Sequence, residues 1–182
     1  MIRTIVPALI VPALIGSLLT LAPAFAAEPV AAEPVAAEIA DWPTIQEKIR
    51  SADLAVVDLW SLSCAPCVRE LPHLGELAER HAGRLECFAV SVDYDGRRRR
   101  PAETYRDRVT DLLTTLNMTA TRNYVCGTPS DDVLASVDAV SIPAVILYRR
   151  GEVVAKFVDA GQTAGFDYGQ DVAPEVERLL RR

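Results

Sequence analysis

Apolar and polar positions along the chain follow two periods. Leu54 to Trp60 is an almost unbroken apolar run with one acid, Asp58, which predicts a buried strand, and Leu85 to Asp93 predicts a second. Between them, from Cys64 to His81, residues Val68, Leu71, Leu74, Leu77 and Ala78 recur at three- and four-residue spacing, the apolar stripe of a helix. Val109, Leu112, Leu113 and Leu116 mark another helix over Glu103 to Leu116. A shorter one is expected over Trp42 to Ile49, with Pro43 in its first turn, where a missing N–H costs little. Ser130 to Val137 predicts a helix capped by Ser130 or Thr128. Ala144 to Tyr148 and Val153 to Val158 flank Arg149-Arg150-Gly151-Glu152 and predict an antiparallel hairpin, after which Val172 to Leu180 closes the chain as a helix. The order βαβα, then ββα, implies an α/β fold with a central mixed sheet and helices on both faces.

Met1 to Ala26 breaks both periods. It is a nearly continuous apolar run behind Arg3, ending in Ala24-Phe25-Ala26, the small residues that signal peptidase reads. Residues 1–26 are therefore expected to be a signal peptide, with export by the general route to the periplasm because no twin-arginine pair is present. The competing reading is an uncleaved leader anchoring the protein to the inner membrane, since the run is nearly long enough to span. Pro7, Pro12 and the small-residue end favour removal. Residues 27–38 continue an Ala-Ala-Glu-Pro-Val repeat and read as an extended spacer, leaving 39–182 as one domain.

Composition narrows the functional classes. Half of the 182 residues are apolar and 24% are charged, which excludes a disordered, collagen-like or multi-pass membrane protein. The formal charge of -6 argues against nucleic acid as a partner. Arg97-Arg98-Arg99-Arg100 is the one strong charge cluster; its plainest reading is a solvated loop, its functional one a site for anionic lipid or an acidic partner. Four cysteines are too few for a disulfide scaffold. Cys87 and Cys126 read as small buried hydrophobes, with a second disulfide between them the alternative in an oxidising compartment.

Cys64-Ala65-Pro66-Cys67 carries the chemistry, because here a buried strand runs into a C-x-x-C that opens a helix. Two thiols three residues apart at a helix start close a small ring with little backbone change. Cys64 sits where unpaired N–H groups and the positive end of the helix dipole favour a thiolate, so it is the expected nucleophile. Cys67, a turn further in, is suited to attack the mixed disulfide formed on Cys64. Zinc would need two more ligands; His73 and His81 lie on the same helix at the wrong spacing and could not wrap around one ion. A static staple gains little from so small a ring. No phosphate loop, haem-attachment motif or Ser/His/Asp arrangement is present, and no cofactor is expected.

Trp60, the Cys64-Ala65-Pro66-Cys67 motif and the following Arg69-Glu70-Leu71-Pro72 resemble the thioredoxin-like proteins of the TlpA/ResA branch, exported thiol-disulfide oxidoreductases with the signature W-C-x-P-C-R-x-E-x-P. Ser141-Ile142-Pro143, before the strand at Ala144, matches the position of that family's cis-proline, and the resemblance spans roughly Leu54 to Gly161. It implies a thioredoxin-like fold. It also implies exchange of a Cys64–Cys67 disulfide with protein thiols, as a reductant of the cytochrome c maturation type supplied by an upstream membrane reductant. Carried over by position, Asp58 is the buried acid that accepts the Cys67 proton, and Glu70 is the acid that tunes the thiols. Pro72 is the proline of the active-site helix. Ile142 and Pro143 would pair with an extended substrate, and Trp60 would belong to the docking surface. Ser63 departs from the pattern, for the family usually has tryptophan before the first cysteine. The other classes of function left open are a thioredoxin-fold copper chaperone holding Cu(I) on its thiolates and a non-catalytic interaction module.

Overall fold

Residues 35–159 and 165–181 are described by the computed structural model. The leader, and the spacer up to residue 34, lie outside them. Along the chain run β1 (Glu38–Ala40), α1 (Trp42–Ser51), β2 (Leu54–Trp60), α2 (Ala65–Arg80), β3 (Glu86–Ser91), α3 (Glu103–Thr115), β4 (Arg122–Cys126), α4 (Ser130–Ser136), β5 (Ala144–Arg149), β6 (Glu152–Val158), a π-helical turn (Tyr168–Val172) and α5 (Ala173–Leu180). The strands form one sheet in the order β1-β4-β3-β2-β5-β6. β1, β4, β3 and β2 run parallel, and β5 and β6 are antiparallel to their neighbours, so the sheet is mixed as the element order implied.

Strand alternation divides the core into two layers. Val56 and Trp60 of β2 point to the layer built with Leu71 and Leu74 of α2, Val109 and Leu113 of α3, and Val176 of α5. Ala55, Val57 and Leu59 point to the opposite layer, closed by Trp42, Ile45 and Ile49 of α1 and Val133 of α4. Every residue of β2 is buried, which is why its sequence reads as a continuous apolar run. The β5–β6 turn has Arg150 and Gly151 both at positive φ (51° and 84°), the backbone of the tight primed hairpin turn.

Two strands are not evident in the apolar pattern. β1 includes Glu38, at the end of the spacer, and pairs with β4 from Glu38↔Tyr124 to Ala40↔Cys126. Three residues of an Ala/Glu repeat carry no period; their strand character comes from β4 offering a free edge. In β4 the polar Asn123 is buried, its amide donating to the Met118 carbonyl at 2.9 Å and its oxygen accepting from Thr121 at 2.8 Å. The expected cap of α4 also differs: Pro129 holds the N-cap position without a side-chain bond, and Thr128 Oγ1 instead accepts the Trp42 N–H at 2.9 Å, tying α1 to β4. Among the described residues, no helix is long and apolar enough to cross a membrane.

Candidate active site

The turn after β2 presents the dithiol. Val92 N–H donates to the Trp60 carbonyl at 2.8 Å, extending the β2–β3 pairing past the strand ends, and Cys64 N–H donates to the Ser61 carbonyl at 3.0 Å. Asp93 fixes the same turn. Its carboxylate accepts from Ser61 Oγ (3.0 Å), from Leu62 N–H (3.0 and 3.2 Å to its two oxygens) and from Ser91 Oγ (2.7 Å). Ser63 joins through its N–H to Ser61 Oγ (3.1 Å) and a hydroxyl pair at 2.9 Å. A tryptophan at position 63 could not make that hydroxyl contact, so a polar clasp stands here in place of an indole.

Cys64 is the N-cap of α2 and is bonded to Cys67 as a disulfide, with the Cα atoms 5.3 Å apart. Its sulfur accepts the Cys67 N–H at 3.3 Å, a donor that favours negative charge there once the bond is opened. Cys64 is partly exposed, whereas Cys67 is 0% exposed. The pair is therefore asymmetric in the sense needed for one attacking and one resolving sulfur. Pro66 occupies the first turn of α2, and Pro72 lies within the helix.

Beneath the dithiol helix lies Asp58. Flanked on β2 by Val57 and Leu59, which face the other way, its side chain shares the α2 side of the sheet with Val56 and Trp60. It is 1% exposed. Burial pushes its carboxyl up to about 7, the Tyr168 hydrogen bond pulls the other way, and the charge of Glu70 raises it further. Tyr168 Oη donates to Asp58 Oδ2 at 2.6 Å, while Oδ1 is buried with no partner among the described residues. Tyr168 is wholly buried in the π-helical turn, held by the rings of His73 (6.1 Å) and Phe166 (6.0 Å), and its hydroxyl is pushed well above its ordinary range by burial and by Asp58. Tyr168 thus stays protonated and serves as a fixed donor.

The Ile142–Pro143 peptide is cis. Pro143 is buried, and Ile142 is partly exposed just outside the β5 ladder, lining one cleft together with Ser63. The structure thereby brings together Cys64, Cys67, Ile142 and Pro143 at one end of the sheet, with Asp58 below and Glu70 close enough to act electrostatically on Asp58 and Tyr168.

This architecture is matched in known structures. The thioredoxin domain of a thiol-disulfide oxidoreductase from Bacteroides vulgatus superposes with a TM-score of 0.52 at 21% identity, over 73% of this chain and 83% of that one. A thioredoxin-like protein solved in its oxidised form gives 0.56 at 15% identity, over 75% and 83%. A thiol:disulfide interchange protein from a Bacteroides species gives 0.50 at 23%, over 73% and 76%. The chain has a thioredoxin-like fold. At these identities the likeness is one of architecture. No protein-family model and no curated protein sequence matches the chain.

Within the thioredoxin-like frame one expectation changes. Trp60 is 0% exposed and packs in the α2-side core, so no substrate can reach it; its place on β2, not beside Cys64, decides this. Cys87 and Cys126 are both free and buried, as the reading of them as small hydrophobes has it, and they lie in opposite layers of the core, which rules out the alternative of a second disulfide. Burial pushes the Cys87 thiol up to about 12, aided by Glu86, as suits an inert core residue. Two site residues carried no signal in sequence. Tyr168 lies 110 residues from Asp58 in a stretch without period, and Asp93 closes a strand like any terminal acid. Among the described residues no three His, Cys, Asp or Glu side chains gather as a metal site.

Proposed function

We propose that the protein is an exported thiol-disulfide oxidoreductase of the TlpA/ResA kind that reduces disulfides in exported proteins, the role such proteins have in cytochrome c maturation. The observation that carries this reading is the sulfur asymmetry over a buried acid: Cys64 capping α2 and partly exposed, Cys67 enclosed, and Asp58 beneath with one oxygen unpartnered among the described residues. In the reduced protein, the Cys64 thiolate attacks one sulfur of a substrate disulfide. The substrate S–S bond breaks, a Cys64–substrate disulfide forms, and the displaced substrate thiolate takes a proton from water. Cys67 then gives its proton to Asp58 and attacks the Cys64 sulfur, releasing the second substrate thiolate. Two electrons pass to the substrate, and the protein is left with the Cys64–Cys67 disulfide. An upstream membrane dithiol returns it to the reduced form.

The reductant direction and the periplasmic setting rest on the resemblance of the motif and on the leader. In this reading an extended substrate pairs with the backbone of Ile142, supported by its position before the cis-proline and its partial exposure. The reduced protein should turn over insulin and hydroxyethyl disulfide, and Cys64→Ser should abolish this. Absence of turnover together with stoichiometric tight Cu(I) binding would replace this reading with the copper-chaperone one.

A further inference from the structure

Next to the dithiol turn opens a cleft of about 400 Å3, lined by Ser63 and Ile142 together with Arg100, Tyr105 and Arg108. Arg100 lies over the Tyr105 ring, 5.6 Å from its centroid, which holds the guanidinium at the cleft while leaving its N–H edge for a ligand. Arg108 is exposed and has no hydrogen bond or ion pair among the described residues. The one acid in the lining, Asp93, is taken up by its four donor contacts from Ser61, Leu62 and Ser91. Around it, residues 97–108 hold six arginines against two carboxylates in a protein whose net charge is -6. The only dense positive segment of the chain therefore runs into the cleft that adjoins the nucleophile.

We propose that this cleft selects the substrate: it receives a carboxylate-bearing segment beside the disulfide of an extended protein or peptide substrate, paired with Arg100 and Arg108 while the chain lies along Ile142. The inference rests on the oxidoreductase reading and adds to it the chemical class of the substrate. Clustered charge beside a reactive group raises encounter rates with opposite charge, and a guanidinium held on an aromatic face is pre-set for a carboxylate. The arginine run that reads in sequence as a solvated loop acquires by this placement a steering role.

The test uses reduced protein and three peptides with the same disulfide ring flanked by Asp, Ser or Lys. At low ionic strength the Asp peptide should be reduced about tenfold faster than the Ser peptide, and the Lys peptide slower still. The spread should shrink in 0.5 M salt, taken as roughly that concentration for full screening. Arg100→Gln/Arg108→Gln should bring the three rates together, and Arg100→Glu/Arg108→Glu should reverse their order. Equal rates for all three peptides, or a preference that survives the charge reversal, would overturn the inference while leaving the oxidoreductase reading intact. No reduction of any peptide, nor of hydroxyethyl disulfide, would sink that reading and this inference with it.

Discussion

Among the described residues Asp58 on β2 has a single donor, Tyr168, and a second oxygen with none, whereas Asp93, two residues past β3, is met by two serine hydroxyls and the Leu62 N–H. Asp93 bonds the turn that carries the dithiol, and Asp58 lies on the strand that leads into it. Asp93, with these donors converging on it, works as a clasp that fixes residues 61–63. The starved one is buried to 1% and carries a carboxyl pushed up to about 7, so its proton is close to balance at neutral pH. Residue type does not separate the two; the number of donors and the loss of water do.

Substituting each acid is the severest test of that contrast. Asp58→Asn should slow reduction of hydroxyethyl disulfide near neutral pH by about 100-fold, the usual scale for a lost proton acceptor, as followed by stopped flow. Asp93→Asn should slow it only a few-fold and instead lower stability by about 1 to 2 kcal/mol, measured by urea unfolding. Equal losses of rate would erase the distinction.

Stability against pH sharpens it next. The Asp58 pKa is raised on folding, from 3.8 to about 7, so between those values the folded protein holds a proton that the unfolded chain has lost. Its contribution to stability is thus most favourable below the unfolded pKa, falls as pH rises from about 4 to 7, and levels off above. The fall amounts to at most about 4 kcal/mol. Urea midpoints of the oxidised protein should trace this decline, and Asp58→Asn should flatten it. A wild-type curve that rises over the same window would contradict the assignment.

Tyr168→Phe probes the single donor. Its hydrogen bond favours the charged carboxylate, so its removal should move the inflection of the exchange rate upward by about one pH unit, with the unfolding cooperativity preserved. A purely structural tyrosine would lower stability and leave the inflection in place. The smallest effect is expected at the core thiols: iodoacetamide at pH 8 should leave Cys87 and Cys126 of the native protein unlabelled, and Cys87→Ala should leave the exchange rate unchanged.

What could be read from the chain follows the reach of its periodicities. β2 and α2 announce themselves, because a strand buried on both faces is continuously apolar and α2 needs a stripe at helical spacing. The C-x-x-C stands at their junction, and the Ile142–Pro143 peptide is marked only by its resemblance to the family's cis-proline. β1 and β4 are hidden: β1 is a strand only through its pairing with β4 far along the chain, as in Ile39↔Val125, and β4, held between β1 and β3, carries a buried asparagine. Tyr168 is hidden for the same reason: nothing local in Asp167-Tyr168-Gly169 indicates a hydroxyl directed at Asp58. Trp60 lies near the motif in sequence but on β2, four residues before Cys64, where strand alternation turns its indole into the α2-side core.

The order of the two sulfurs is the claim on which the account turns, and trapping tests it most directly. Cys67→Ser, reduced and mixed with a disulfide-bonded protein substrate, should accumulate a dithiothreitol-cleavable adduct whose peptide map places the bond at Cys64, while Cys64→Ser accumulates none. An adduct formed through Cys67 in Cys64→Ser, or no adduct with either variant, would contradict it.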